Sequence, residues 1–252
     1  MSGLVAAYPA LDSGNTVGGR DPALGSWHTV LVGASAEAVK RVWRWVRSAP
    51  GTYLWLTALA VTTVIIELLP PDEAEEWLGS RSTNLYHLGE DPLRVLITSA
   101  FWTDGSGWFA YAVLFTIFHA NAERWLGTLR WLVVVILAHV GATYLSQGVL
   151  LWAIHSDDAP ERAIFALDVG VSYGLAGVAA VLAYRFTTPW RWIYVLGVLA
   201  VVVPPVVMNR TFTDIGHASA AALGFACYPL TRGSGRPWDI GVLLKWRPSM
   251  RR

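Results

Sequence analysis

Sulfur and charge are both scarce in this sequence. Its one cysteine, Cys227, cannot form an internal disulfide and leaves no room for a thiolate zinc site. No metal and no cofactor are therefore expected. Charged residues make up 15% of the chain, against about 25% in a typical soluble domain. The net charge of +1 argues neither for nor against nucleic acid, but the basic residues do not gather in one patch, and no nucleic-acid partner is expected. Residues 1–35 lack a basic stretch followed by an apolar run, so no cleaved signal is expected and the first apolar span should stay in place.

Apolar residues, by contrast, reach 54%, with 14 tryptophans, a residue that gathers at membrane–water interfaces. Six apolar stretches approach the roughly 20 residues that a helix needs to cross a hydrocarbon core. They fall at Thr52–Leu69, Gly107–Asn121, Thr128–Ile154, Ala163–Tyr184, Trp190–Met208 and Ile215–Leu230. The expected fold is an all-α membrane bundle of six helices, residues 50–231. A cytoplasmic segment, 1–49, precedes it and a basic cytoplasmic tail, 232–252, follows. With the N-terminus inside, 15 of the 19 lysines and arginines lie on the cytoplasmic side; Arg81, Arg94, Arg162 and Arg210 lie outside. That bias is a positive-inside signal for a plasma-membrane protein with both termini cytoplasmic. The run Val39-Lys40-Arg41-Val42-Trp43-Arg44-Trp45-Val46-Arg47 alternates basic and aromatic residues, as a helix lying on the inner surface would. The 70–106 loop should fold into short amphipathic pieces, and the tail from Arg232 should be loosely ordered.

Ionisable residues inside spans are costly, about 2.5–3.5 kcal/mol for an aspartate on insertion scales. They are therefore site candidates. His119, Asn121 and Glu123 lie at the inner end of the second stretch and suit helix capping. His139 is expected to bond a neighbouring helix. Asp168 and Ser172 are one turn apart on the fourth stretch, and Asp214 and His217 open the sixth. Small residues line the same two stretches: Gly170, Gly174 and Gly177 on one, and Gly216, Ala220 and Gly224 on the other. Four-residue spacing of small residues lets helix backbones approach closely. The expectation is that the two helices touch along these stripes and that Asp168, Ser172 and His217 form one hydrogen-bonded cluster.

On these residues the sequence resembles the rhomboid superfamily of intramembrane proteases and their inactive relatives, and among them the shorter rhomboid-like proteins common in actinobacteria. Gly170 followed by Tyr173-Gly174-Leu175-Ala176-Gly177 is similar to the later part of the family's serine motif. His217-Ala218-Ser219-Ala220 with Gly224 is similar to its histidine motif. Arg94, and Glu123 with Gly127, also have counterparts. In this register the nucleophile's position is held by Val169, and the oxyanion-side positions fall on Gly107 and Tyr111. A second register reads Gly170-Val171-Ser172 as the Gly-x-Ser, with Tyr173 replacing the next glycine.

Three functions follow. The first register implies a rhomboid-like pseudoprotease that binds transmembrane segments of client proteins. The second implies an intramembrane serine hydrolase with Ser172 as nucleophile, His217 as base and Asp168 or Asp214 as orienting acid, the roles that define such a centre. A transporter or proton-linked channel would use Asp168 and His217 as a relay, with Pro204-Pro205 breaking the fifth span. The orientation is tested with a single cysteine placed at Glu75 in a Cys227→Ala background. A membrane-impermeant maleimide should label intact cells at that position; labelling only after the membrane is opened overturns the orientation.

Overall fold

The computed structural model describes residues 37–103 and 107–239. The segment before residue 37 and the tail beyond 239 lie outside the described residues, so the first part of the expected N-terminal segment, 1–49, and the end of the expected basic tail, 232–252, are not described. Contacts divide the chain into two units, Met1–Trp45 and Val46–Arg252. What is described of the first is helical, part of α1 (37–47). It exposes Val39, Val42, Trp43 and Trp45 and pairs Lys40 with Glu37 at 3.0 Å. Exposed tryptophans beside arginines suit a bilayer surface.

The second unit is helical, and among its described residues the only strand-like pairing is a bridge between Phe186 and Trp238. Helix α2 (Pro50–Leu68) leads to three short helices, α3 (Pro71–Gly79), α4 (Leu85–Glu90) and α5 (Pro92–Ser99). These are the short pieces expected of the long loop. Each starts on a local signal: proline in the first turn of α3 and α5, and the Asn84 and Asp91 side chains accepting from the His87 and Arg94 amides at the caps of α4 and α5.

Helix α6 (Trp108–Leu114) passes through a π-helical turn, Phe115–His119, into α7 (Ala120–Leu126). The wide turn leaves backbone carbonyls free, and the Asn121 amide donates to that of Ile117 at 2.7 Å. Then follow α8 (Thr128–His155), α9 (Val171–Val181, with a 3-10 turn to Arg185), α10 (Trp190–Met208) and α11 (Phe212–Ala226). Among the described residues, α2, α8 and α10 are long and apolar enough to cross a membrane. All six expected stretches fall on helices, with displaced ends.

The largest displacement is in the fourth. Its helix begins at Val171, not near Ala163, because the backbone before it is bonded elsewhere. Residues Glu161–Phe165 form a 3-10 turn. The Asp168 amide donates to Ser82 Oγ at 2.7 Å, its carbonyl accepts from the Thr83 amide at 3.0 Å, and the Gly170 amide donates to the Ser99 carbonyl at 3.2 Å. Asp168 and Ser172 therefore do not share a helix face. In the fifth stretch Pro204 and Pro205 lie inside α10 without ending it, so the expected break is not there.

Glu123 closes the opposite end. Buried at 1% exposure, its carboxylate accepts from the Gly51 and Thr52 amides, from Thr52 Oγ1 and from Thr128 Oγ1, all within 2.9 Å. It thereby occupies the unsatisfied amides that open α2 and ties them to the first turn of α8. The tail is also held, contrary to expectation, as far as Asp239. Trp125 Nε1 and the Arg185 guanidinium donate to the Gly235 carbonyl, Arg130 donates to those of Leu230 and Arg232, and the Trp238 amide donates to the Arg185 carbonyl at 2.6 Å.

The core centres on α9, packed between α8 and α11. Tyr173 lies against Gly216, and Gly177 against Ala138, Ala220 and Gly224, so contacts with α11 ascend together and the helices run parallel. The stripe on α11 is the expected one. On α9 only Gly177 meets it: Gly170 faces His139, while Gly174 faces Trp55 and Val135. A Cβ on Gly224 would overlap the Gly177 carbonyl, whereas one on Gly197 would meet nothing within 4 Å. Gly224→Ala is thus expected to cost about 1–3 kcal/mol as an overpacked contact. Thermal unfolding in detergent should show it well below both wild type and Gly197→Ala; equal midpoints would show that the backbones are not in contact.

Candidate functional site

A cavity of about 630 Å3 opens between α6, the π turn, α9, α10 and α11. Leu114 and Phe118 form one wall, Leu175, Ala176 and Ala179 the floor, and residues of α10 from Tyr194 to Pro205 the other wall. The lining is apolar except for Tyr194, whose hydroxyl donates to the Ala179 carbonyl, and for Ser172, Asp214 and His217. These last three lie in the opening turns of parallel helices, so they gather at one end.

Their local roles differ. Asp214 completes a capping box at the start of α11: its amide donates to Thr211 Oγ1 at 3.1 Å, and its Oδ2 accepts from the Thr211 amide at 3.3 Å and from the Thr211 hydroxyl at 2.6 Å. His217 stands edge-on to the Tyr173 ring, with centroids 5.1 Å apart. Ser172 is half-buried and forms no hydrogen bond among the described residues, with His217 or otherwise. A catalytic pair needs heavy atoms about 2.6–3.2 Å apart, though such contacts are often looser before substrate binds. Of the oxyanion-side positions, Gly107 caps α6 and Tyr111 is buried edge-on to Phe115.

Asp168 lies on the far side of Tyr173. The expected direct contact between Asp168, Ser172 and His217 is not formed. Instead Tyr173 Oη donates to Asp168 Oδ1 at 2.9 Å, Gln147 Nε2 to Oδ2 at 2.9 Å and Thr83 Oγ1 to Oδ2 at 3.3 Å. With 2% of its surface exposed, this carboxylate joins the loop at Ser82–Thr83, α8 and α9. Tyr173 thus touches Asp168 with its hydroxyl and His217 with its ring. His139 bonds a neighbouring element, as expected, through Nε2 to the Leu96 carbonyl at 2.8 Å. His119 accepts from Trp131 Nε1 at 3.1 Å and stacks on Phe115.

Gln147 was not singled out from the sequence, because a lone amide in an apolar stretch resembles a tolerated polar residue. Its spacing from His139 and Thr143, four residues at each step, places all three on one face of α8 and is the signal that would have found it. Among the described residues no group of three or more metal-binding side chains is present.

A family model described as rhomboid-like protein matches residues 44–237. No curated protein and no solved structure matches the chain.

The network around Asp168 makes a double-mutant prediction. Tyr173→Phe removes one donor from a buried carboxylate, a loss of about 1.5–3 kcal/mol when the acceptor is charged. In an Asp168→Asn background the same change should cost clearly less. Asp168→Asn and His217→Ala share only Tyr173 as a partner, so their coupling should be smaller than that between Asp168→Asn and Tyr173→Phe. Strong coupling between Asp168 and His217 in unfolding measurements would contradict this separation.

Proposed function

The chain belongs to the rhomboid-like protein family, and from that premise we propose that it binds transmembrane segments of client proteins in the α9–α11 groove, without the usual rhomboid protease centre. On this reading it crosses the plasma membrane six times, with both termini cytoplasmic. α2, α6–α7, α8, α9, α10 and α11 serve as the spans. The short α9 is acceptable because protein, not lipid, surrounds it.

The observation that carries the proposal is the groove itself. Its walls are apolar, Val202 is the only buried residue of the α10 wall, and Ser172, Asp214 and His217 gather at one end. In a bilayer, lipid tails are as apolar as leucine, so helices associate by close packing and hydrogen bonds rather than by the hydrophobic effect. Ala176, Ala179 and Gly197 offer the close packing, and Ser172 and His217 the polar contact. Val169, at the nucleophile position of the better-matching register, has no group able to attack a carbonyl.

One observation favours a second reading, an intramembrane serine hydrolase. Ser172, His217 and Asp214 face the same cavity and supply nucleophile, base and acid, with Asp168 acting only through Tyr173. Two measurements separate the readings. A photoreactive amino acid at Val198 or Val201 should crosslink in native membranes to membrane-spanning peptides, whereas the same group at the exposed Val61 of α2 should reach only lipid. Crosslinks to lipid alone at all three positions overturn client binding. A fluorophosphonate probe should label wild type no more than Ser172→Ala; strong labelling lost in both Ser172→Ala and His217→Ala would establish the hydrolase instead.

A further inference from the structure

Four helix ends meet at one end of the bundle and bring arginines with them. Arg130 lies in the first turn of α8 and Arg191 in the first turn of α10. Arg185 closes the 3-10 turn after α9, and Arg232 and Arg236 follow α11. Hydrogen bonds hold these segments together. Arg130 Nη1 donates to the Arg232 carbonyl at 2.8 Å and to that of Leu230 at 3.3 Å. Arg185 Nη1 donates to the Gly235 carbonyl at 3.2 Å, and Arg191 Nε to that of Phe186 at 3.2 Å.

No carboxylate answers this charge. None of the five arginines forms an ion pair among the described residues, and Asp239 pairs with none of them. The first turns of α8 and α10 hold no acidic residue. Glu123, the acid nearest Arg130 in sequence, is buried and already accepts four hydrogen bonds. At the other end of α8 the pattern reverses, with Asp157, Asp158 and Glu161 beyond His155. A neutral carbonyl orients a guanidinium but leaves its charge in place. Arg130 and Arg191 each use one nitrogen of three, and the Arg232 and Arg236 side chains donate no hydrogen bond among the described residues. Paired N–H donors therefore remain for an anion.

Position identifies the anion. α8 and α10 are long and apolar enough to cross a membrane, so their first turns lie where acyl chains meet headgroups. Aromatic residues mark the same level. Arg191 stands between Trp190 and Trp192 in sequence, and Trp192 is 62% exposed. The Tyr184 and Tyr228 rings pack with centroids 4.9 Å apart. The Arg191 guanidinium lies 5.8 Å from the first ring and that of Arg232 5.8 Å from the second, so each tyrosine carries one cation. Such an aromatic rim suits a phosphate that brings an acyl chain with it better than one dissolved in water.

We propose that this arginine-rich end is a binding surface for the headgroups of anionic phospholipids. Arg130, Arg191, Arg232 and Arg236 bind the phosphates, and Trp192 with the Tyr184–Tyr228 pair rests on the first carbons of the acyl chains. Bound headgroups neutralise the charge that the fold leaves uncompensated. The proposal rests on α8 and α10 crossing the bilayer and is independent of what the α9–α11 groove binds.

The test uses the full chain in nanodiscs of phosphatidylcholine. They are doped with phosphatidylglycerol or with phosphatidylcholine, each carrying a photoreactive diazirine near the start of one acyl chain. Crosslinked peptides are mapped by mass spectrometry. One arginine beside an anionic surface is worth about fivefold, so the anionic probe should label residues 184–192 and 228–238 about fivefold more, or better. Residues 157–165, beyond the other end of α8, should show no such preference. Arg232→Gln combined with Arg236→Gln removes two exposed charges that make no hydrogen bond in the fold, and should cut the preference by more than half. Equal labelling by the two probes would overturn the proposal, as would a preference undiminished in the double variant. So would its loss in inorganic phosphate but not in sodium chloride of equal ionic strength, which would make a dissolved anion the ligand. If neither probe labels the exposed faces of α8 and α10, those helices are not in the bilayer and the proposal falls with its premise.

Discussion

The interior depends on the closeness of α9 to its neighbours. An 11-residue helix is too short to span about 30 Å of hydrocarbon, and its ends are tolerable only where protein covers them. Gly177 and Gly224 supply that cover by letting two backbones meet, with Ala138 of α8 filling the third side. Where hydrophobic burial gives no preference for protein over lipid, such close packing becomes a main source of cohesion. Tyr173 is fully buried at the start of the same contact and holds the first turn of α9 against Gly216.

A short helix also leaves irregular backbone above it, and the polar network around Asp168 accounts for that segment. Between Ala166 and Gly170 the chain is not helical, yet Ser82 and Thr83 bond the Asp168 amide and carbonyl, Ser99 bonds the Gly170 amide, and Gln147 and Tyr173 bond the one carboxylate. Asp168 therefore has a structural task whatever the groove does. At the opposite end Glu123 does the corresponding work for α2 and α8, and Arg185, with its guanidinium near the Trp125 and Trp238 rings, helps hold the segment after α11.

The arrangement separates a tightly bonded half from a loosely covered one. α8, α9 and α11 share small residues and buried polar contacts, while α10 touches the rest mainly near the α9–α10 turn and along α11. The groove lies at this boundary, with Ser172 and His217 on the tightly bonded side and the apolar face of α10 on the other.

The sequence alone determined the membrane class, the places of the helical stretches and the family. Scarce charge and apolar runs of the necessary length are properties of the chain by itself. The motifs around Tyr173 and His217 carried the resemblance that the family match supports. Periodicity could not say which residue met which. Asp168 and Ser172 are four apart, which means a shared face only if the intervening residues are helical, and tertiary bonds from the 82–99 region unwound that segment. Gly170, Gly174 and Gly177 formed one stripe in the sequence, yet α9 has neighbours on several sides, so His139, Trp55 and Gly224 divided them. The spacing of Gln147 from His139 and Thr143 marks a polar face of α8, but only the fold sets Asp168 against it. Local pattern decides where helices form; which polar groups meet depends on helix rotation and close packing, which only the assembled bundle sets.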